Sequence, residues 1–196
     1  MTEHIHPVFD RMIHREEREA FLNQKSVVLW LVGLSGSGKS TIAIALERLL
    51  LQHGYFAQML DGDNIRSGIN RDLGFSIEER NENIRRIAEI AKLYAQSGII
   101  SINSFISPTK DIREMASDII GQDYIEVYID TPIEVCESRD VKGLYAKARK
   151  GEIKGFTGID SPFEVPEKPD IHIKTVNRPV LDCAQEIFDQ IKERLI

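Results

Sequence analysis

Cysteine is scarce in this chain: Cys136 and Cys183 are the two among 196 residues. Two thiols cannot build a disulfide framework, and their spacing is not that of a metal site. They read as reduced thiols of a cytoplasmic protein. Long apolar runs are missing as well. The longest strictly apolar stretch, Val27 to Val32, is six residues, whereas a membrane-spanning helix needs about 20. The opening residues, MTEHIHPVFDRMIHREERE, hold no apolar segment, so no secretory leader is expected. Positive charge is not in excess: 25 Lys and Arg stand against 31 Asp and Glu, a net charge of −6. Bulk attraction to nucleic acid is excluded on that balance, though a local basic site is not. Repeats and low-complexity tracts are absent too. What is left is an ordinary globular composition, 42% apolar and 29% charged, in a chain sized for one compact domain.

Residues 1–25 are charge-rich and read as a helical arm with sparse apolar positions: Val8, Phe9, Met12, Ile13, Phe21 and Leu22. From 26 to 196, strand-like and helix-like stretches alternate. Ser26–Val32 is a continuous run of β-formers, the mark of a strand buried on both faces. Further strands are predicted at Tyr55–Leu60, Ile99–Ile106, Tyr124–Asp130 and Ile171–Thr175. Thr41–Gln52 reads as a helix stopped by His53-Gly54. Ser76-Ile-Glu-Glu79 is a capping box that opens a long helix ended by Gly98. Thr131-Pro-Ile-Glu134 reads as a second box, and Pro179–Leu195 as a closing amphipathic helix. Strands separated by helices imply crossovers. The expected class is therefore α/β, a three-layer α/β/α fold with a mainly parallel central sheet. Ligands of such sheets bind beyond the carboxyl ends of the strands. That rule directs attention to Gly33–Ser40, Asp61–Asp63 and Ser104–Pro108. Residues 140–170 break the alternation. They are punctuated by Gly and Pro, basic in their first half, and interspersed with Tyr145, Phe156 and Phe163. A stretch of this length without periodicity is a lid or a solvated loop, and the aromatics favour a lid.

Gly33-Leu-Ser-Gly-Ser-Gly-Lys-Ser40 fits the P-loop pattern G-x-x-x-x-G-K-[ST], and it sits between strand and helix as that motif requires. Gly33, Gly36 and Gly38 permit backbone angles closed to other residues, so successive amides can face phosphate oxygens. The following helix presents its positive end to the same charge. Lys39 is placed for the β and γ phosphates, Ser40 for Mg²⁺, and Thr41 for the helix start. The pattern points to a nucleoside triphosphate without naming the reaction. No Asn-Lys-x-Asp guanine signature is present, and the size fits a small-molecule kinase better than a motor.

Asp61-Gly-Asp63 follows the second strand, across from Lys39. Two such acids can hold Mg²⁺ or take a proton from an attacking hydroxyl, the reading that a neighbouring P-loop favours; the alternative is a turn with Asp63 as a helix N-cap. Arg66, Arg71, Arg80, Arg85 and Arg86 follow. Arg80, in the first turn of the long helix, opposes the macrodipole, which hints at an anionic partner or marks a plain surface arginine. Arg85 and Arg86 cannot both face one way. Phe75 suits a purine stack or a staple on the helix. Ser107, before Pro108, is expected to be extended, with its hydroxyl near the phosphates or simply in a turn.

Together with GLSGSGKST, the blocks LDGDNIRSGIN, DLGFS, RNENIRRI, FISP, DTPIEVCESRD, GLYAKARKGEIKGFTGIDSPFE and PEKPD make the chain resemble the adenylylsulfate kinases along nearly its whole length. The resemblance implies transfer of the γ-phosphate of ATP to the 3′-hydroxyl of adenosine 5′-phosphosulfate, within sulfate assimilation. By it, Gly33, Ser35, Gly36, Ser37, Gly38, Lys39, Ser40 and Thr41 would hold ATP, with Lys147, Arg149 and Lys150 facing the triphosphate. Ser40 and Asp61 would serve Mg²⁺, and Asp63 would be the base. Arg66, Phe75, Arg80, Asn83, Ile106 and Ser107 would line the acceptor pocket. Lys154, Phe156, Thr157 and Gly158 would come from the lid, with Phe156 and Phe75 sandwiching adenine. Ser107 is the family's proposed phosphoserine; in-line transfer needs no such covalent step. A homodimer and association with an ATP sulfurylase are also implied, the arm contributing to the first. Two departures stand out: Ser67 lies where the family often has His, and Thr109–Arg113 lacks the usual aromatic and denser basic run. A regulatory module with an eroded P-loop is disfavoured by the intact Lys39, Ser40, Asp61 and Asp63. A kinase for another small acceptor is the remaining alternative.

Overall fold

The structure, a computed structural model, describes residues 6, 8 and 11–196; Phe9 of the arm lies outside them. Five strands form one sheet: β1 (Val28–Val32), β2 (Ala57–Asp61), β3 (Ile100–Ser104), β4 (Tyr124–Asp130) and β5 (Ile171–Lys174). Their order is β2-β3-β1-β4-β5, and every neighbouring pair is parallel. β1 is central and wholly buried, as its unbroken apolar run predicts. Its side chains alternate between the faces. Leu29 and Leu31 join the core under α2 (Lys39–Gln52) and α8 (Val180–Ile191). Val28, Trp30 and Val32 join the core under α4 (Ile77–Gln96) and α5 (Lys110–Ile120). The chain winds from β1 outward to β2, returns through β3, then crosses to β4. The order therefore reverses beside β1, which opens a cleft at its carboxyl end.

The Ser76–Glu79 box forms both reciprocal bonds, at 3.2 and 3.0 Å. The second box does not form. The next helix, α6 (Ile133–Arg139), has Pro132 as N-cap, because the Thr131 hydroxyl donates to the Ser37 carbonyl at 2.9 Å instead. Three helices are not among the predicted elements: α3 (Gly62–Ser67), α5, and α7 (Leu144–Arg149) inside the 140–170 segment. The predicted third strand stops at Ser104, two residues short of Ile106, and α8 ends at Ile191, with a 3₁₀ turn following.

The arm is helical over α1 (Arg15–Leu22). Arg15 meets Asp123 through two bonds of 2.6 and 2.8 Å. Buried Glu19 accepts from the amide and hydroxyl of Ser26, both at 2.9 Å. Burial works to raise the Glu19 pKa, but the Ser26 amide, Arg15 and the Ser26 hydroxyl together bring it down to about 2. Met12, Ile13 and Phe21 stay exposed. Both cysteines are free and buried. Among the described residues no helix is long and apolar enough to cross a membrane.

Candidate active site

β1 delivers the chain into the loop 33–38, and α2 starts directly after it. Close approach explains two of the glycines. A Cβ on Gly33 would lie 2.7 Å from the Ile129 carbonyl oxygen. Gly36 has φ 74°, and a Cβ there would lie 3.2 Å from the Cys136 carbonyl. The loop's carbonyls are held from outside. Tyr145 Oη donates to Ser35 O at 2.8 Å, Arg139 to Gly36 O at 3.2 Å, and Thr131 to Ser37 O at 2.9 Å. In a trans peptide the next N–H points opposite to the carbonyl. The amides of Gly36 and Gly38 therefore turn away from those donors, as an anion-binding nest requires, while the Ser37 amide closes a turn on the Leu34 carbonyl at 3.1 Å. Lys39 lies along the same loop, its Nζ donating to Gly33 O at 2.8 Å and Leu34 O at 2.7 Å. Burial lowers its pKa to about 8.

β2 ends at Asp61, whose two carboxylate oxygens do different work. Oδ1 accepts from the Asp63 amide at 3.0 Å and so caps α3. The cap thus falls to Asp61 and not to Asp63. Oδ2 accepts from Ser40 Oγ at 2.6 Å, and Ser40 Oγ also lies 3.1 Å from Ser104 Oγ at the end of β3. One hydroxyl therefore joins the loops that follow β1, β2 and β3. Asp63 is exposed and ion-paired with Lys142. A cavity of about 460 Å³ lies here, lined by Ser40, Asp61, Asp63, Asn64 and Lys142 among others. Among the described residues no group of three His, Cys, Asp or Glu is arranged as a metal site. Ser40, Asp61 and Ser104 offer oxygen alone, the donor type that suits Mg²⁺ shared with phosphate oxygens and water.

The arginines divide into two sets. Arg66 donates to Gly74 O at 2.7 Å, and its guanidinium sits 4.5 Å from the Phe75 ring centroid. Phe75 remains 69% exposed, so it is not a staple buried on α4. Burial, and after it the like charge of Arg80, lower the Arg66 pKa. Arg80 donates to Gly155 O at 2.8 Å, and buried Asn83 accepts from Asn70 at 3.0 Å. Arg85 and Arg86 belong elsewhere: both bind Glu82, and Arg86 also grips both oxygens of Asp72 at 2.9 Å.

Ser107 departs from expectation. It is not extended but has φ 44°, in the left-handed region, and it is 1% exposed. Trp30 Nε1 donates to its Oγ at 3.0 Å, and Arg113 to its carbonyl at 3.2 Å. Two donors from the core thus hold the residue in place. Ile106 beside it is half-buried.

In the 140–170 segment, Phe156 packs edge-on against Tyr145, with centroids 4.9 Å apart. Asp160 accepts from the amides of Gly155 and Phe156 at 2.7 and 2.6 Å. Thr157 is buried and bridges to Ser161, Gly158 is half-buried, and Lys154 is exposed. Lys147 and Lys150 are exposed, as is Thr41 on α2. Arg149, also exposed, pairs with Glu137 at 2.7 Å. Conversely, the bracing of the loop carbonyls by Thr131, Arg139 and Tyr145 escaped the sequence reading, which placed Thr131 in a capping box and Tyr145 among the lid aromatics. Only the basic character of 140–170 marked Lys142, and nothing local marked Trp30.

A nest-bearing loop, a lysine at the helix start and paired acids at the carboxyl edge of a parallel α/β sheet define a P-loop kinase fold. Within that class the chain belongs to the adenylylsulphate kinase family, whose model matches residues 25–174. An adenylyl-sulfate kinase of Bacteroides thetaiotaomicron is 58% identical over 193 residues, covering 98% of this chain and 96% of that protein. One of Phocaeicola vulgatus is 62% identical over 190 residues, covering 96% and 93%. Among solved structures, the Mycobacterium tuberculosis APS kinase CysC in complex with AMPPNP and APS is similar at 47% identity and TM-score 0.83, covering 86% of this chain and 98% of that one.

Proposed function

We propose that this chain transfers the γ-phosphate of ATP to the 3′-hydroxyl of adenosine 5′-phosphosulfate, giving 3′-phosphoadenylyl sulfate and ADP. The observation that carries the reading is the Ser40 hydroxyl, 2.6 Å from Asp61 and 3.1 Å from Ser104. It puts the phosphate cradle and the acid pair in one cleft. In this reading the nest amides and Lys39 hold the triphosphate. An incoming γ-phosphate competes for Lys39 with the carbonyls of Gly33 and Leu34. Ser40 and Asp61 are the residues that would hold Mg²⁺, which supplies charge neutralisation at the β and γ oxygens. Asp63 takes the hydroxyl proton once Lys142 has moved off it. The bond from γ-phosphorus to the acceptor oxygen forms as the bond to the β-bridging oxygen breaks. Arg66 and Arg80, like charges held close together, suit the phosphosulfate, since such a pair gains most from an anion between them. Phe75 and Asn83 face the nucleoside, and Phe156, Thr157 and Gly158 close over it as a lid.

Ser107 takes no phosphoryl group in this reading, because its oxygen is engaged by Trp30. A homodimer belongs to the same reading, supported by the exposed Met12, Ile13 and Phe21, and sedimentation of the full chain tests it. For the reaction, the chain is incubated with Mg-ATP and adenylyl sulfate. The 3′-phosphorylated product is expected, and Asp63→Asn should lower kcat by about 10²–10⁴-fold. Binding of adenylyl sulfate without turnover would instead make the chain a regulatory module. Turnover of a different hydroxylated acceptor alone would make it another kinase.

A further inference from the structure

One contact of the 140–170 segment lies away from the cradle. The connection from β3 to α5, residues 105–109, carries Ile106 and Ser107. From inside the core it is held by Trp30 Nε1 on Ser107 Oγ and by Arg113 on Ser107 O. Arg113 is itself buried and pairs with Glu126 of β4 at 3.5 Å. From outside it is held by Glu164. The Glu164 amide donates to Pro108 O at 2.8 Å, and a Glu164 carboxylate oxygen accepts from the Lys110 amide at 2.6 Å.

The second bond fills a gap in the helix. Thr109 is the N-cap residue of α5, yet it makes no side-chain cap bond. A carboxylate 54 residues downstream caps the helix instead. Such a bond to an N-terminal amide is charge-assisted and directional. Phe163, next in the chain, anchors the same strap by stacking on Tyr128 at 6.3 Å and packing against the core beneath α4 and α5. Glu164 therefore spans two parts of the site: the trailing end of the segment that carries Phe156 and Thr157, and the loop that carries Ile106 and Ser107.

We propose that Glu164 is a positioning residue for the acceptor nucleotide: it ties the trailing end of the lid to the Ile106–Ser107 loop and fixes that loop's place against the acceptor. The inference rests on the assignment of Ile106 and Ser107 to the acceptor pocket. Glu164 is exposed, so replacing it opens no hole in the core. Glu164→Ala removes the carboxylate and leaves the amide contact to Pro108. Glu164→Gln keeps an oxygen able to accept from Lys110 N.

The test is steady-state kinetics on the full-length chain, varying adenylyl sulfate at saturating Mg-ATP and then Mg-ATP at saturating adenylyl sulfate. Glu164→Ala should raise the KM for adenylyl sulfate about five- to tenfold, the scale of a lost cap bond, while KM for ATP shifts less than twofold. Glu164→Gln should recover most of the loss. A lowered Tm with both KM values unchanged would make Glu164 a plain structural cap and overturn the proposal. An equal rise in both KM values would do the same. Ile106→Ala, measured alongside, separates the failures. If it raises the adenylyl sulfate KM and Glu164→Ala does not, the tie is refuted while the pocket assignment stands. If neither variant moves that KM, the pocket assignment itself falls and takes the proposal with it.

Discussion

The cradle and the acceptor side of this site are built in opposite ways. The cradle is a sequence-local device: residues 33–41 carry the glycines, the lysine and the hydroxyl in one strand–loop–helix turn. The acceptor side is gathered from α3, the start of α4, the loop after β3 and the 140–170 segment. Its joints are long-range bonds, among them Arg80 to Gly155, Asn70 to Asn83, Trp30 to Ser107 and Glu164 to Lys110. Damage within the cradle should therefore strike the chemistry outright, and damage to a joint should loosen one contact at a time. In the proposed reaction the phosphate-handling half is the one built from a local motif, and discrimination among acceptors falls to the half assembled by tertiary contact.

The sharpest way to break this contrast is Lys39→Ala. Loss of a preorganised donor to the transferring group should lower kcat by roughly 10³-fold, with the folded state preserved because a buried amine has been removed; single-turnover assays and circular dichroism check both parts. A cradle variant that lost only KM would show the two halves to be alike after all. Next in size is Gly36→Ala. A side chain at φ 74° and 3.2 Å from the Cys136 carbonyl should destabilise the loop by about 1–3 kcal/mol, read as weaker ATP binding in calorimetry with a smaller change for adenylyl sulfate.

The smallest effect concerns a third region, the arm. Glu19 has an ordinary pKa of 4.5 that folding lowers to about 2. Its contribution to stability is therefore complete above pH 4.5 and is lost as pH falls through about 2. Arm contacts around Ser26 and Asp123 should weaken over that window, before the sheet does. Hydrogen exchange of the Ser26 amide in the chain and in Glu19→Gln measures it; in that variant the weakening should already be present at neutral pH.

The same contrast decides how much was legible beforehand. The P-loop, the Asp61–Asp63 pair and the five strands announce themselves, because each depends on neighbours within a few residues: alternation, an apolar run, a glycine pattern. The Ser76 box was readable for the same reason. The Thr131 box looked as good in sequence but lost to a partner 94 residues away, the Ser37 carbonyl. Ser107 is similar. Proline after it favours extended backbone, yet Trp30 and Arg113 impose a left-handed one. Arg139 and Tyr145 had no local signature, since a donor to a carbonyl across the fold follows no spacing rule. The charge of Arg149 was visible in the sequence, and its partner Glu137 was not.

The bond from Thr131 to Ser37 also bears on how the protein is born. The loop leaves the ribosome long before the hydroxyl that braces it. At roughly 5–20 residues per second, the intervening 94 residues take about 5–20 seconds to synthesise. Until β4 emerges and pairs with β1, the nascent chain carries a complete nucleotide-binding motif with no bracing behind it. The braced form of the loop must therefore wait on late-made segments.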